Sequence, residues 1–124
     1  MPLEYDQLQS SLEKFIQTSK FLASVVSTSD GLVVASAIRK GLDQNLTAAL
    51  SALVDQTVDR VKNDLKLGNV RYFLIEADLG KLVFKKIVVD KEPILLTFLI
   101  PKEIRYFKRK IRAFEKLVKQ FLSS

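Results

Sequence analysis

The stretch from Phe21 to Ala37, FLASVVSTSDGLVVASA, decides how the rest of the chain is read. Phe21 to Thr28 is short, apolar and β-branched, the signature of a strand. Asp30-Gly31 tolerates positive φ and predicts a two-residue type I′ hairpin turn, with Leu32 to Ala37 as the returning strand. Upstream, Leu3, Leu8, Leu12, Phe15 and Ile16 recur at helical spacing and predict a helix from about Leu3 to Ser19. Downstream, Asp43 is suited to cap a long helix from Gln44 to about Leu65, with Gly68 beyond its end.

Three more strands follow as a meander. Val70 to Ala77 turns through Asp78-Leu79-Gly80 into Lys81 to Asp90, and a second turn through Lys91-Glu92-Pro93 leads into Ile94 to Ile100. The last strand is apolar on both faces except at Thr97, so it is expected mid-sheet with both faces covered. Pro101 is placed at the first position of a final helix. There Ile104, Phe107, Ile111, Phe114, Leu117, Val118 and Phe121 form one face. The order helix-strand-strand-helix-strand-strand-strand-helix predicts an α+β fold in three layers, α/β/α, around a five-stranded antiparallel sheet. At 124 residues, with isolated glycines and no linker or repeat, the chain reads as a single domain over 1–124.

Composition narrows the chemistry. The chain contains no cysteine and no histidine, so thiolate sites, disulfides and the usual general base near neutral pH are all missing. Each glycine stands alone, so no loop of the phosphate-cradling type is present. Glu76 and Asp78 read as a solvated hairpin end, because a hard-cation site needs more oxygens. The expectation is therefore a non-enzyme with no catalytic, cofactor or metal residues. The acidic start lacks a signal-peptide core, and the longest uncharged run, Gln44 to Val54, is too short for a membrane span. A cytoplasmic location is expected.

The net charge of +6 belongs to one segment: from Lys102 to Lys119, eight bases stand against two acids. Arg105, Arg109, Arg112 and Lys116 are candidates for contacting phosphate on nucleic acid or an anionic membrane surface. A solvated helix face is the competing and preferred reading, since only Tyr106 interleaves as a free aromatic. On the helix from Gln44, the residues Leu46, Leu50, Leu53, Val54, Thr57 and Val61 gather on one stripe, expected to face the sheet. The opposite face holds Ala48, Ser51, Ala52, Asp55, Gln56 and Asp59, and its first half is small enough for another backbone to approach. Arg39 and Lys40, in the loop before Gly41, read as ordinary exposed bases.

Val25-Val26-Ser27-Thr28-Ser29-Asp30-Gly31-Leu32-Val33-Val34-Ala35-Ser36, the long helix from Gln44, and Glu76-Ala77-Asp78 before the fourth strand together resemble the roadblock (dynein light chain) family, including bacterial regulators of the MglB type. The resemblance implies the second helix on one sheet face and the other two helices on the opposite face. It also implies a homodimer, or a heterodimer with another roadblock subunit, joined through the third strand and second helix. Ala49, Val58, Arg71, Tyr72, Phe73, Leu74 and Ile75 would then form the dimer interface. Strands 70–77 and 32–37 both lack edge-protecting residues, so the choice of edge comes from the resemblance. The function implied is a dimeric adaptor or regulator of a small Ras-like GTPase that stimulates hydrolysis, if at all, indirectly. Ala48, Ser51, Ala52, Asp55, Gln56 and Asp59 would be its docking face.

Overall fold

The computed structural model describes residues 2–39 and 41–123, with side chains from Tyr5 onward. Its elements are α1 (Pro2–Ser19), β1 (Ala23–Thr28), β2 (Val33–Ile38), α2 (Gln44–Leu65), β3 (Phe73–Ala77), β4 (Gly80–Val89), β5 (Glu92–Ile100) and α3 (Lys108–Leu122). The five strands form one antiparallel sheet in the order β2-β1-β5-β4-β3. The expected α+β architecture is therefore present, with the apolar strand β5 at its centre.

Strand alternation sorts the two layers. Leu96, Phe98 and Ile100 of β5 point into a core with Leu8, Leu12 and Ile16 of α1 and Ile111, Phe114 and Val118 of α3. Phe114 is the hub, its ring 4.9 Å from Phe98 and 4.8 Å from Phe15 in edge-on contacts. Lys110 Nζ donates to the Ser19 carbonyl at 2.9 Å, so α3 starts beside the end of α1 and the two run antiparallel. On the other face, Thr97 points to α2 and its hydroxyl shares a hydrogen bond with Ser51.

Three local expectations are corrected. The first hairpin is not a two-residue I′ turn: Gly31 N–H donates to Thr28 O, and among the described residues of the turn only Gly31 takes positive φ, at 89°. One left-handed residue after a tight turn is the geometry of a longer, bulged loop, and Asp30 is spared the strain. The β4–β5 turn falls at Asp90-Lys91, both left-handed, so Glu92 and Pro93 belong to β5. Helix α3 begins at Lys108, not at Pro101. Lys81, itself buried, donates from Nζ to the carbonyls of Lys102 at 3.0 Å and Ile104 at 2.9 Å. Those carbonyls serve a side chain from β4, and the segment before Phe107 stays irregular.

Helix α2 starts as expected, with Asp43 Oδ1 accepting from the backbone N–H of Asn45 and Leu46 at 2.9 and 3.1 Å. It lies so close to the first hairpin that a Cβ added at Gly31 would come 3.3 Å from the Ala49 Cα. Gly31→Ala is therefore expected to cost about 1–2 kcal/mol through positive φ and crowding together. A denaturant melt with an unchanged midpoint would contradict this close packing.

Candidate partner-binding surface

The orientation of α2 is the opposite of the expected one. Ala48, Ser51 and Ala52 are buried against the sheet, and Thr47 with them. Ser51 donates to the Thr47 carbonyl at 2.8 Å and accepts from Thr97. Most of the stripe expected to be core faces outward: Leu46, Leu50 and Leu53 are 57%, 48% and 58% exposed, and Val61 is exposed as well, while Val54 is half-buried and lines the space between helix and sheet. Ala48, Ser51 and Ala52 are thus withdrawn as a docking face, because they have no free surface. The physical reason is spacing. Small helix residues facing Val25, Ser27 and Thr97 bring the helix close, and leucines in that position would hold it away.

The acids of α2 are also placed differently. Asp55 and Asp59 are half-buried and turn toward Lys86 of β4, whose Nζ lies 3.1 Å from Asp55 Oδ1 and 3.0 Å from Asp59 Oδ1. Burial disfavours charge on Lys86 and is the largest single influence, but hydrogen bonds with Asp59 and Asp55 outweigh it and hold its pKa above the ordinary lysine value. Gln56 is exposed.

This lysine spans a cleft of about 310 Å³ between the C-terminal half of α2 and the sheet. Val58, Tyr72 and Phe73 line the cleft together with Phe84 and Val88. Tyr72 precedes β3, and its ring meets Phe107 at 6.3 Å. Phe73, Leu74 and Ile75 lie on β3, the outermost strand, and every residue of that strand is exposed. Arg71 is exposed too, so Val58, Arg71, Tyr72 and the β3 residues fall together at the open end of the sheet, whereas Ala49, also exposed, lies beside the β1–β2 hairpin at the other end of α2. The other edge is different: Gln9 of α1 hydrogen-bonds both the N–H and the C=O of Ser36 on β2. That amide plugs the edge the sequence left open, and α1 is the missing signal.

The basic helix divides into two sets. Lys108 sits over the Tyr72 ring, Lys110 over Phe21, and Lys119 and Lys85 grip Glu115 at 2.9 and 3.0 Å. Burial works against ionised Glu115, but hydrogen bonds from Lys119 and Lys85 prevail and hold its pKa below the ordinary carboxylate value. Arg105, Arg109, Arg112 and Lys116 are all exposed. Arg39 is exposed, and Lys40 lies outside the described residues.

No family sequence model and no curated protein sequence matches this chain. Solved structures do. Myxococcus xanthus MglB superimposes with a TM-score of 0.81 at 10% identity, over 94% of this chain and 87% of that one. An MglB in a tetrameric arrangement aligns at 0.76 and 15% identity, covering 96% and 93%. A Roadblock/LC7 domain from Streptomyces avermitilis aligns at 0.69 and 22% identity, covering 93% and 92%. The chain has the roadblock fold. No helix among the described residues is long and apolar enough to cross a membrane.

Two tests follow from this geometry. Ala52→Arg should destabilise the chain by about 3 kcal/mol or more, through overpacking and a buried charge. Leu53→Arg, one position on, should change monomer stability by no more than about 0.5 kcal/mol. Equal effects in denaturant melts at low protein concentration would mean the helix is turned the other way. Glu115→Gln should cost about 1 kcal/mol at neutral pH. Because the folded pKa of Glu115 is depressed, the wild-type advantage is full above the ordinary carboxylate range and disappears as pH falls through the folded value. A difference in melting that persists in strong acid would contradict that linkage.

Proposed function

We propose that this chain, as a single domain over 1–124, is a non-catalytic cytoplasmic adaptor that works as a dimer in the regulation of a small Ras-like GTPase. The observation that carries the reading is exposed apolar surface of two kinds: Leu46, Leu50, Leu53 and Val61 along α2, whose C-terminal half reaches the open end of the sheet, and Phe73, Leu74 and Ile75 on the edge strand β3 itself. Large apolar side chains exposed in such numbers on a folded chain mark a protein interface. Its two components suit different parts of one interface. An unpaired strand edge recruits another strand, and a leucine stripe recruits a second apolar helix.

Antiparallel pairing of β3 with its copy would extend the sheet across a two-fold axis perpendicular to it. Both copies of α2 would then lie on one face, side by side, and their outward residues with Gln56 would form a composite docking surface for the GTPase. A different roadblock-fold subunit offering the same edge would serve as well as a second copy. The fold shared with MglB supports this assignment, and the tetrameric arrangement of one MglB supports assembly through such surfaces. Any effect on hydrolysis would be exerted by ordering the GTPase's own switch loops.

Light scattering at micromolar concentration should give the dimer mass, and Leu46→Asp with Leu53→Asp should give a folded monomer. A wild-type monomer would remove the proposal. A native pull-down should retain a small GTPase with the wild type and lose it with the double variant.

A further inference from the structure

We infer that the ridge formed by Arg105, Arg109, Arg112 and Lys116 docks the protein on an anionic lipid bilayer. The partition within the basic segment is the first ground. Lys108, Lys110 and Lys119 are engaged within the fold, by aromatic rings, a backbone carbonyl and Glu115. Arg105, Arg109, Arg112 and Lys116 are all exposed, and Arg109, Arg112 and Lys116 recur at helical spacings of three and four along the outside of α3. The one acid of α3, Glu115, sits off this ridge between Lys85 and Lys119. Lys14 and Lys20 oppose Asp6 and Glu13 among the described side chains of the adjoining α1 segment, so the field over this layer is set by α3.

The breadth of the layer and the exposed Tyr106 favour a plane. The major groove of duplex DNA is about as wide as one helix with its side chains. Helix α3 is not a free-standing helix: α1 lies along it, joined through Lys110 to Ser19 and through Phe15 to Phe114. The two helices side by side make a broad layer with the bases along its crest, a shape that meets a plane over its whole width. Tyr106, 89% exposed beside Arg105, adds an aromatic body with a polar tip, which suits the headgroup level of a bilayer.

Assembly would reinforce the effect, and this step rests on the dimer proposed above. A two-fold axis perpendicular to the sheet puts both α3 ridges on the same face, opposite both copies of α2. One face would meet lipid while the other holds its protein partner. Each base close to an anionic surface strengthens binding about fivefold, and two linked ridges add avidity.

The test is co-sedimentation of the full chain with vesicles of phosphatidylcholine containing phosphatidylserine. The wild type should pellet with them, stay in solution with phosphatidylcholine alone, and be released by about 1 M salt as charges are screened. The triple variant Arg105→Gln, Arg109→Gln, Arg112→Gln should bind at least about a hundredfold more weakly. Its melting temperature and oligomeric mass should be unchanged. Tyr106→Ala should weaken vesicle binding severalfold at unaltered charge. Failure of the wild type to pellet with the anionic vesicles, or wild-type affinity in the triple variant, overturns the inference. Tighter binding to duplex DNA than to vesicles also overturns it and assigns the ridge to nucleic acid. A wild type that is monomeric by light scattering yet pellets with anionic vesicles upholds the ridge and removes only the dimer.

Discussion

Ser51 and Thr97 share a hydrogen bond inside the contact between α2 and the sheet, with the buried Ala48 and Ala52 beside Ser51 and Gly31 packed against the helix at Ala49. Ser51 already donates to the Thr47 carbonyl, but the buried Thr97 hydroxyl is costly without a partner, and Ser51 can serve it only if helix and strand approach closely. Small residues on both sides permit that approach. Once the helix is seated this way its rotation is determined, because residues three and four apart share a face. The leucines spaced along the opposite side must then point outward. The exposed stripe is thus a consequence of how the monomer packs.

The two edges of the sheet acquire different fates from the same layering. Helix α1 runs over β2, and Gln9 occupies the N–H and C=O of Ser36, so a second strand cannot use that position. Nothing comparable lies beside β3 among the described residues. The sheet is consequently closed at one end and open at the other, and the open end adjoins the C-terminal half of α2. The cleft under α2 lies toward this end, where Lys86 reaches across to Asp55 and Asp59 and keeps the helix tied to β4.

The elements legible in the sequence were those whose signal is local. Asp43 capped α2 because a side-chain oxygen two and three residues ahead of free N–H groups needs no distant partner. Strand β5 could be placed at the centre because only a strand covered on both faces tolerates apolar residues at nearly every position. The rotation of α2 was not legible. Helical periodicity identifies an apolar face but does not distinguish a face turned to its own core from one turned to a partner. Ala48, Ser51 and Ala52 looked like the outer surface because leucine outranks alanine in hydrophobicity, whereas closeness of approach was the deciding quantity. The start of α3 was hidden for a different reason: its cause, Lys81, lies 21 residues before the carbonyl of Lys102 that it holds.

Charge on α3 shows the same separation between what a count implies and what packing leaves free. Eight bases in one segment suggest a uniformly cationic element, yet the fold draws several of them inward. Lys110 joins α3 to the end of α1, and Lys119 with Lys85 fixes Glu115 between helix and strand. These contacts stabilise modestly, and they order the helix relative to its neighbours. Because the engaged bases perform that ordering, the ones unpaired among the described residues are under no structural demand. Sidedness therefore arises on both outer layers by one route: packing consumes the residues that can be matched within the chain and leaves leucines on one face and arginines on the other.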